Sequence, residues 1–174
     1  MGIQFETDYN METLTAMAKG LRKTVRKKRS RRVHIFAAVV LVLGLLTILA
    51  TTAGGEPLGA SGVVTLLVML VVILVSLFED KLNAWFARKR LLPGTEHAAA
   101  TFEEDGYVSA TGVTESRFSY AQIVAVAETA RYFVFALSSH HTQAYDKRTI
   151  RGGSVEDFRA VIAEKTGKPV AHIK

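Results

Sequence analysis

Two uncharged apolar runs, VHIFAAVVLVLGLLTILATTA at residues 33–53 and LGASGVVTLLVMLVVILVSLF at residues 58–78, are separated by only the four residues GGEP. No other feature restricts the possible folds of this chain so strongly. As a helix at ~1.5 Å per residue, each run covers roughly 31 Å, the thickness of a bilayer's hydrocarbon core. Neither run alternates polar and apolar faces, so neither reads as the half-buried helix of a water-soluble domain. A cleaved signal peptide carries an apolar stretch of about 7–15 residues behind a short basic lead. Here the run is longer and 32 residues precede it. Gly54, Gly55 and Pro57 supply turn chemistry between the runs. Lipid leaves no water to satisfy a bare backbone, so two runs joined this tightly imply a helical hairpin with the turn at residues 54–57.

The flanks orient that hairpin. Between residues 19 and 32, in KGLRKTVRKKRSRR, stand Lys19, Arg22, Lys23, Arg26, Lys27, Lys28, Arg29, Arg31 and Arg32, with no acid among them. The connecting turn has no Lys or Arg, and Lys81, Arg88, Lys89 and Arg90 follow the second run. Lys and Arg beside a span mark its cytoplasmic side, which predicts a multi-pass protein of the cytoplasmic membrane with both termini inside. The nine cations are also candidates for contact with anionic headgroups, at about 1 kcal/mol per nearby charge. Trp85 and Phe86 suit an interfacial anchor.

Charge is what excludes nucleic acid as a partner. Residues 1–32 carry a net charge of +6, residues 33–94 carry +1 and residues 95–174 carry −1. A nucleic-acid-binding domain displays its cations on a folded face, whereas here they sit in one block before the first span. The chain has no cysteine, which excludes disulfides, thiolate zinc sites and cysteine nucleophiles.

The arm at residues 1–32 opens with GIQFETDY, an alternation in which Ile3, Phe5 and Thr7 share one side. That is a strand pattern. From Asn10, a plausible N-cap, Met11, Leu14, Ala18, Leu21 and Val25 step by three or four and form one stripe of a basic amphipathic helix. Two placements stay open for this stripe: on the inner leaflet, or against the chain's own C-terminal domain. The nearby strand favours the second, because it needs a sheet to join.

Residues 79–94 read as a juxtamembrane linker that ends at Pro93 and Gly94, and residues 95–174 as a β-rich domain. HAAATFEED leads through an acidic turn, Glu103 to Asp105, into GYVSATG, and ESRFSY follows. Two apolar strands are predicted at residues 123–127 and 132–137, then a more polar one in TQAYDKRTI. Short strands at this spacing predict a small sandwich or barrel of about seven strands, the N-terminal one included. SVEDFRAVIAEKTGKP is a terminal helix, with Ser154 as N-cap, Asp157 three residues on, and Gly167 and Pro169 as terminators. Val155, Phe158, Val161 and Ile162 form its buried stripe, and it is expected to cap one end of the β-structure.

A basic arm, a two-span hairpin, the segment TFEEDGYVSATGVTESRFSYAQIVAVAETARYFVFAL, then AYDKRTI and SVEDFRAVIAEKTG resemble the YcxB-like membrane proteins of bacteria. The resemblance implies a pleckstrin-homology-like sandwich with a capping helix. It implies no activity and no catalytic residues.

No enzyme constellation appears. His140 and His141 lack metal-ligand spacing and read as a solvated loop. Neither GxGxxG nor GxxxxGK[ST] occurs, and no cofactor is implied. Lys147, Arg148 and Arg151 form the domain's one basic cluster, read either as a solvated face or as a surface for an acidic partner. Two functions stay in view. One is a membrane-tethered interaction or scaffold module holding a protein partner or a second copy. The other is an accessory or sensing subunit that packs through its hairpin. Neither span contains Asp, Glu, Lys or Arg, which argues against an ion path through this chain alone.

Overall fold

The computed structural model describes residues 2–55 and 57–173, so Glu56 of the expected turn lies outside the described residues. In chain order the elements are β1 (Ile3–Asp8), α1 (Met11–Lys23), α2 (Lys27–Ala53), α3 (Ala60–Leu77), α4 (Glu79–Lys89), β2 (His97–Phe102), β3 (Gly106–Thr111), β4 (Glu115–Ser119), β5 (Ala125–Glu128), β6 (Tyr132–Ala136), β7 (Thr142–Asp146), α5 (Val155–Thr166) and β8 (Val170–His172). They form two compact units. Met1–Lys27 and Asn83–Lys174 make one, and Lys28–Leu82 makes the other.

In the second unit, α2 and α3 are long and apolar enough to cross a membrane, with mean hydropathy 2.7 and 2.8 and none of either apolar window buried in protein. The helices do not coincide with the apolar runs. α2 begins at Lys27 rather than at residue 33, because Lys and Arg are good helix formers and hydropathy marks only the apolar part of a helix. α3 begins at Ala60 behind Gly59. Hydroxyls of Thr47, Thr51 and Thr65 donate to the carbonyls of Leu43, Thr47 and Ser61, four residues back, which satisfies them without a partner helix. At Gly44 the helices approach closely, since a Cβ there would stand 2.8 Å from Met69 Sδ.

The first unit holds two four-stranded sheets, ordered β1-β2-β3-β4 and β7-β6-β5-β8. β1 pairs antiparallel with β2, from Ile3 opposite Phe102 to Asp8 opposite His97, so the N-terminal strand does join the C-terminal sheet. β8 pairs parallel with β5 and was not foreseen, three residues being too few to show a pattern. The polar strand expected through residue 150 stops at Asp146. There the Asp146 carboxylate accepts the Arg148 N–H at 3.0 Å and starts a short 3-10 turn, Lys147–Thr149.

Both sheets and α5 contribute to one core. Phe5 and Phe102 come from the first sheet, Phe133, Phe135 and Tyr145 from the second, and Phe158 and Ile162 from the helix. Phe158 stands with its ring 4.7 Å from those of Phe5 and Phe102, which places α5 as the expected cap. Its signals work as read: Ser154 and Asp157 form a capping box, and Gly167 closes the helix at φ 60.

The stripe of α1 lies on the outer face of the second sheet. Leu14 and Leu21 are buried, and Ala16 and Met17 pack against Ala127, Tyr132, Val134 and Ala144. Gly20 permits that approach, because a Cβ there would stand 2.8 Å from Val134 Cγ1. Asn10 caps α1 by accepting from the Glu12 and Thr13 N–H groups. The apolar face of α1 is therefore covered by protein rather than by a leaflet. Residues 79–94, read as a linker, contain α4, with Trp85 and Phe86 exposed.

Candidate functional site: cationic residues and a cleft at the β7 edge

The nine N-terminal cations do not act as one group. Lys19 and Arg22 are half-buried on α1, and Lys23 is exposed at its end. Arg26 turns to the β6–β7 loop, where its Nε donates to Ser139 O at 2.7 Å and its Nη2 stands 2.9 Å from His140 Nδ1. Lys27, Lys28, Arg29, Arg31 and Arg32 all lie exposed on the first turns of α2, which has no acid in its first turn. That end of a helix carries a partial positive charge, so five cations there are held against the helix dipole.

The Lys147, Arg148 and Arg151 cluster is likewise divided. Lys147 is turned inward and only 13% exposed, with Nζ 2.8 Å from the Glu128 carboxylate. Glu128 is buried among β5, α5 and β8. It accepts both Nε and Nη2 of Arg159 at 2.7 Å, and His172 Nδ1 stands 3.4 Å away. The Arg159 hydrogen bonds, with those of Lys147, outweigh the effect of burial and hold the Glu128 carboxyl down at about 2. Arg148 folds onto buried Asp146, which Arg131 also binds at 2.8 Å, and Arg131 reaches on to Glu12 of α1. Arg151 is exposed, 3.5 Å from Glu6. Its backbone exchanges hydrogen bonds with Gln4 and ties this corner to β1.

His140 and His141 sit in an exposed turn in which both N–H groups donate to Ser138 Oγ. Among the described residues, no group of three or more His, Cys, Asp or Glu comes together to hold a metal.

Sequence reasoning missed a cleft of about 520 Å³ between β7, the edge of its sheet, and strands β3 and β4. Its walls include Tyr9, Ser109, Thr111, Ser116, Thr142 and Gln143, with Leu14, Met17, Leu91 and Phe118 as the apolar part and Arg90 at one side. Gln143 is buried, and its Oε1 accepts the hydroxyls of Tyr107 at 2.8 Å and Tyr145 at 2.7 Å. Burial raises the pKa of both tyrosines. The same cause pushes Tyr9 up to about 12. One trace was legible in advance: Gln143 sits two residues before Tyr145 on a strand, so both face one side.

Taken together, these features define a two-sheet β-domain, closed by a terminal helix and by its own N-terminal arm, and interrupted in sequence by an apolar helical hairpin. The family model described as YcxB-like protein matches residues 102–162, from the end of β2 to Ile162 in α5. The resemblance read from the sequence is shown over that stretch. No curated protein and no solved structure matches the chain.

Proposed function

We propose that this chain is a membrane-tethered interaction module. In this reading α2 and α3 cross the bilayer, and a pleckstrin-homology-like domain faces the cytoplasm and holds a partner. The pairing of β1 with β2 carries the reading. These strands flank the hairpin in sequence yet share one sheet, and a chain that leaves a sheet and returns to it must cross a membrane an even number of times. Two apolar helices meet that condition, and hydrocarbon removes the cost of exposing their Leu and Val side chains, at about 0.8 kcal/mol per CH₂.

The cytoplasmic side is supported by the exposed cations on the first turns of α2, whose repulsion and unfavourable dipole are offset by anionic headgroups. Two packed sheets with a covering helix support the pleckstrin-homology-like assignment. β4 is an outer strand of its sheet with three of its five residues exposed, which supports strand addition as the mode of partner binding.

The natural absence of cysteine makes the test direct. Single cysteines at Thr52 and Glu104 are probed with an impermeant maleimide. Thr52→Cys is expected to label in intact cells, and Glu104→Cys only after lysis; labelling of both from outside overturns the topology. Full-length protein extracted in mild detergent is then expected to bring a stoichiometric partner. That partner should remain when an unrelated two-span hairpin replaces residues 28–82. Loss of the partner on that exchange assigns the contact to the hairpin instead, and isolation of the protein alone ends the interaction reading.

A further inference from the structure

The cleft at the β7 edge points to a function separate from tethering, and neither reading depends on the other. At its C-terminal end β7 is joined to the first sheet, with the Asp146 N–H donating to Thr7 Oγ1 at 3.1 Å. At its N-terminal end, around Thr142 and Gln143, the cleft opens toward Ser109, Thr111 and Ser116.

Gln143 is 7% exposed. Its oxygen accepts the Tyr107 and Tyr145 hydroxyls, which leaves Nε2 with two N–H groups and no protein acceptor among the described residues. That nitrogen is not fully enclosed, so it is accessible from the cleft. An amide held in one place with both N–H groups toward an open cleft is a fixed pair of donors for whatever occupies that cleft. The Tyr9 hydroxyl also has no protein partner among the described residues. Burial keeps it protonated and therefore a donor at any physiological pH.

The wall contains no Asp or Glu; Arg90 is its one permanently charged side chain and His141 its one imidazole. Neutral donors with a single guanidinium match a head of one negative charge, since a second charge would be left desolvated without a counterion. The apolar part of the wall needs a hydrocarbon body to cover it, and the volume is that of a small-molecule site.

We propose that this cleft binds a small amphiphile with a monoanionic head, the head accepting from Gln143 and Tyr9 and the apolar body lying against Leu14, Met17, Leu91 and Phe118. A carboxylate and a phosphodiester share that chemistry, and the test separates them.

The probe is octanoate carrying a diazirine, photolysed with full-length protein in zwitterionic nanodiscs and mapped by mass spectrometry. Cross-links are expected on the peptides holding Leu14, Met17, Leu91 and Phe118, and unlabelled octanoate should compete them away while octylamine does not. Gln143→Glu keeps an acceptor for both tyrosines but replaces the amide donor with a negative charge, and should weaken competition by about tenfold or more. Ser116→Phe blocks the cleft from the β4 side without touching that network and should abolish the labelling. A cooperative urea unfolding transition confirms that each variant is folded. Dihexanoyl phosphatidylglycerol competing as well as octanoate makes the ligand a bilayer phosphodiester, and competition by octanoate alone makes it a free carboxylate. Labelling confined to α2 and α3, or cleft labelling that both variants leave intact, overturns the proposal.

Discussion

Replacing Glu128 by Gln should remove a large part of the β-domain's stability, and the loss should shrink in acid in a way that can be calculated. Glu128 has only 4% of its side chain exposed and is held by Arg159 and Lys147 at 2.7–2.8 Å. Its carboxyl sits at about 2 in the fold, against an ordinary value of 4.5. Each unit of such a difference corresponds to about 1.4 kcal/mol, so ionised Glu128 contributes on the order of 3 kcal/mol near neutrality. Because the folded pKa is depressed, that contribution is complete above the ordinary carboxylate range and is lost as the pH falls toward the folded value. The gap between wild type and Glu128→Gln should therefore narrow from about 3 kcal/mol at about pH 7 to about 1 kcal/mol at about pH 3.

The assay is urea unfolding of the full chain in detergent, followed by near-UV circular dichroism of tyrosine. All five tyrosines lie outside residues 28–82, so the signal reports the β-domain alone. A variant within about 1 kcal/mol of wild type at neutral pH, or a gap that does not change with pH, would refute the reasoning. Either result would mean that desolvation of the cluster cancels its attraction, as it does in some buried ion pairs.

Three further outcomes are expected from the same measurement or a close relative of it. Lys147→Ala should cost about 2 kcal/mol, as the loss of a charged hydrogen bond to a buried group, whereas Arg148→Ala and Arg151→Ala, both exposed, should each cost no more than about 1 kcal/mol. Gly20→Leu should lift α1 from Val134, costing about 1–3 kcal/mol by overpacking and speeding amide exchange along α1, while β1 stays protected. Gly106→Ala should be among the worst single changes in the sheets, because its Cβ would fall 2.2 Å from the Phe118 carbonyl oxygen. A loss of at least about 2 kcal/mol in urea is expected there.

The parts of this protein that could be read in advance are those decided by residues close together in the chain. The apolar runs mark α2 and α3 because transfer from water to hydrocarbon depends on composition alone, one side chain at a time. The ends of α5 were legible because Ser154, Asp157 and Gly167 act within a turn of their own positions. Strand alternation in GIQFETDY and the stripe from Leu14 to Leu21 told which sides were apolar, though not what would cover them. Only the tertiary structure decided that β1 pairs with β2 across the whole hairpin, and that the stripe of α1 closes on β6 rather than on lipid. It also turned Lys147 inward to Glu128, 19 residues away in the chain, so that a cluster legible as a surface became largely a set of ion pairs. The cleft arises the same way, where β7 parts from β3 and β4 and leaves Gln143 between two tyrosines and an opening. Local preference acts over a few bonds and is written residue by residue. Burial and pairing depend on which distant surface arrives, and that is set by the packing of the whole domain.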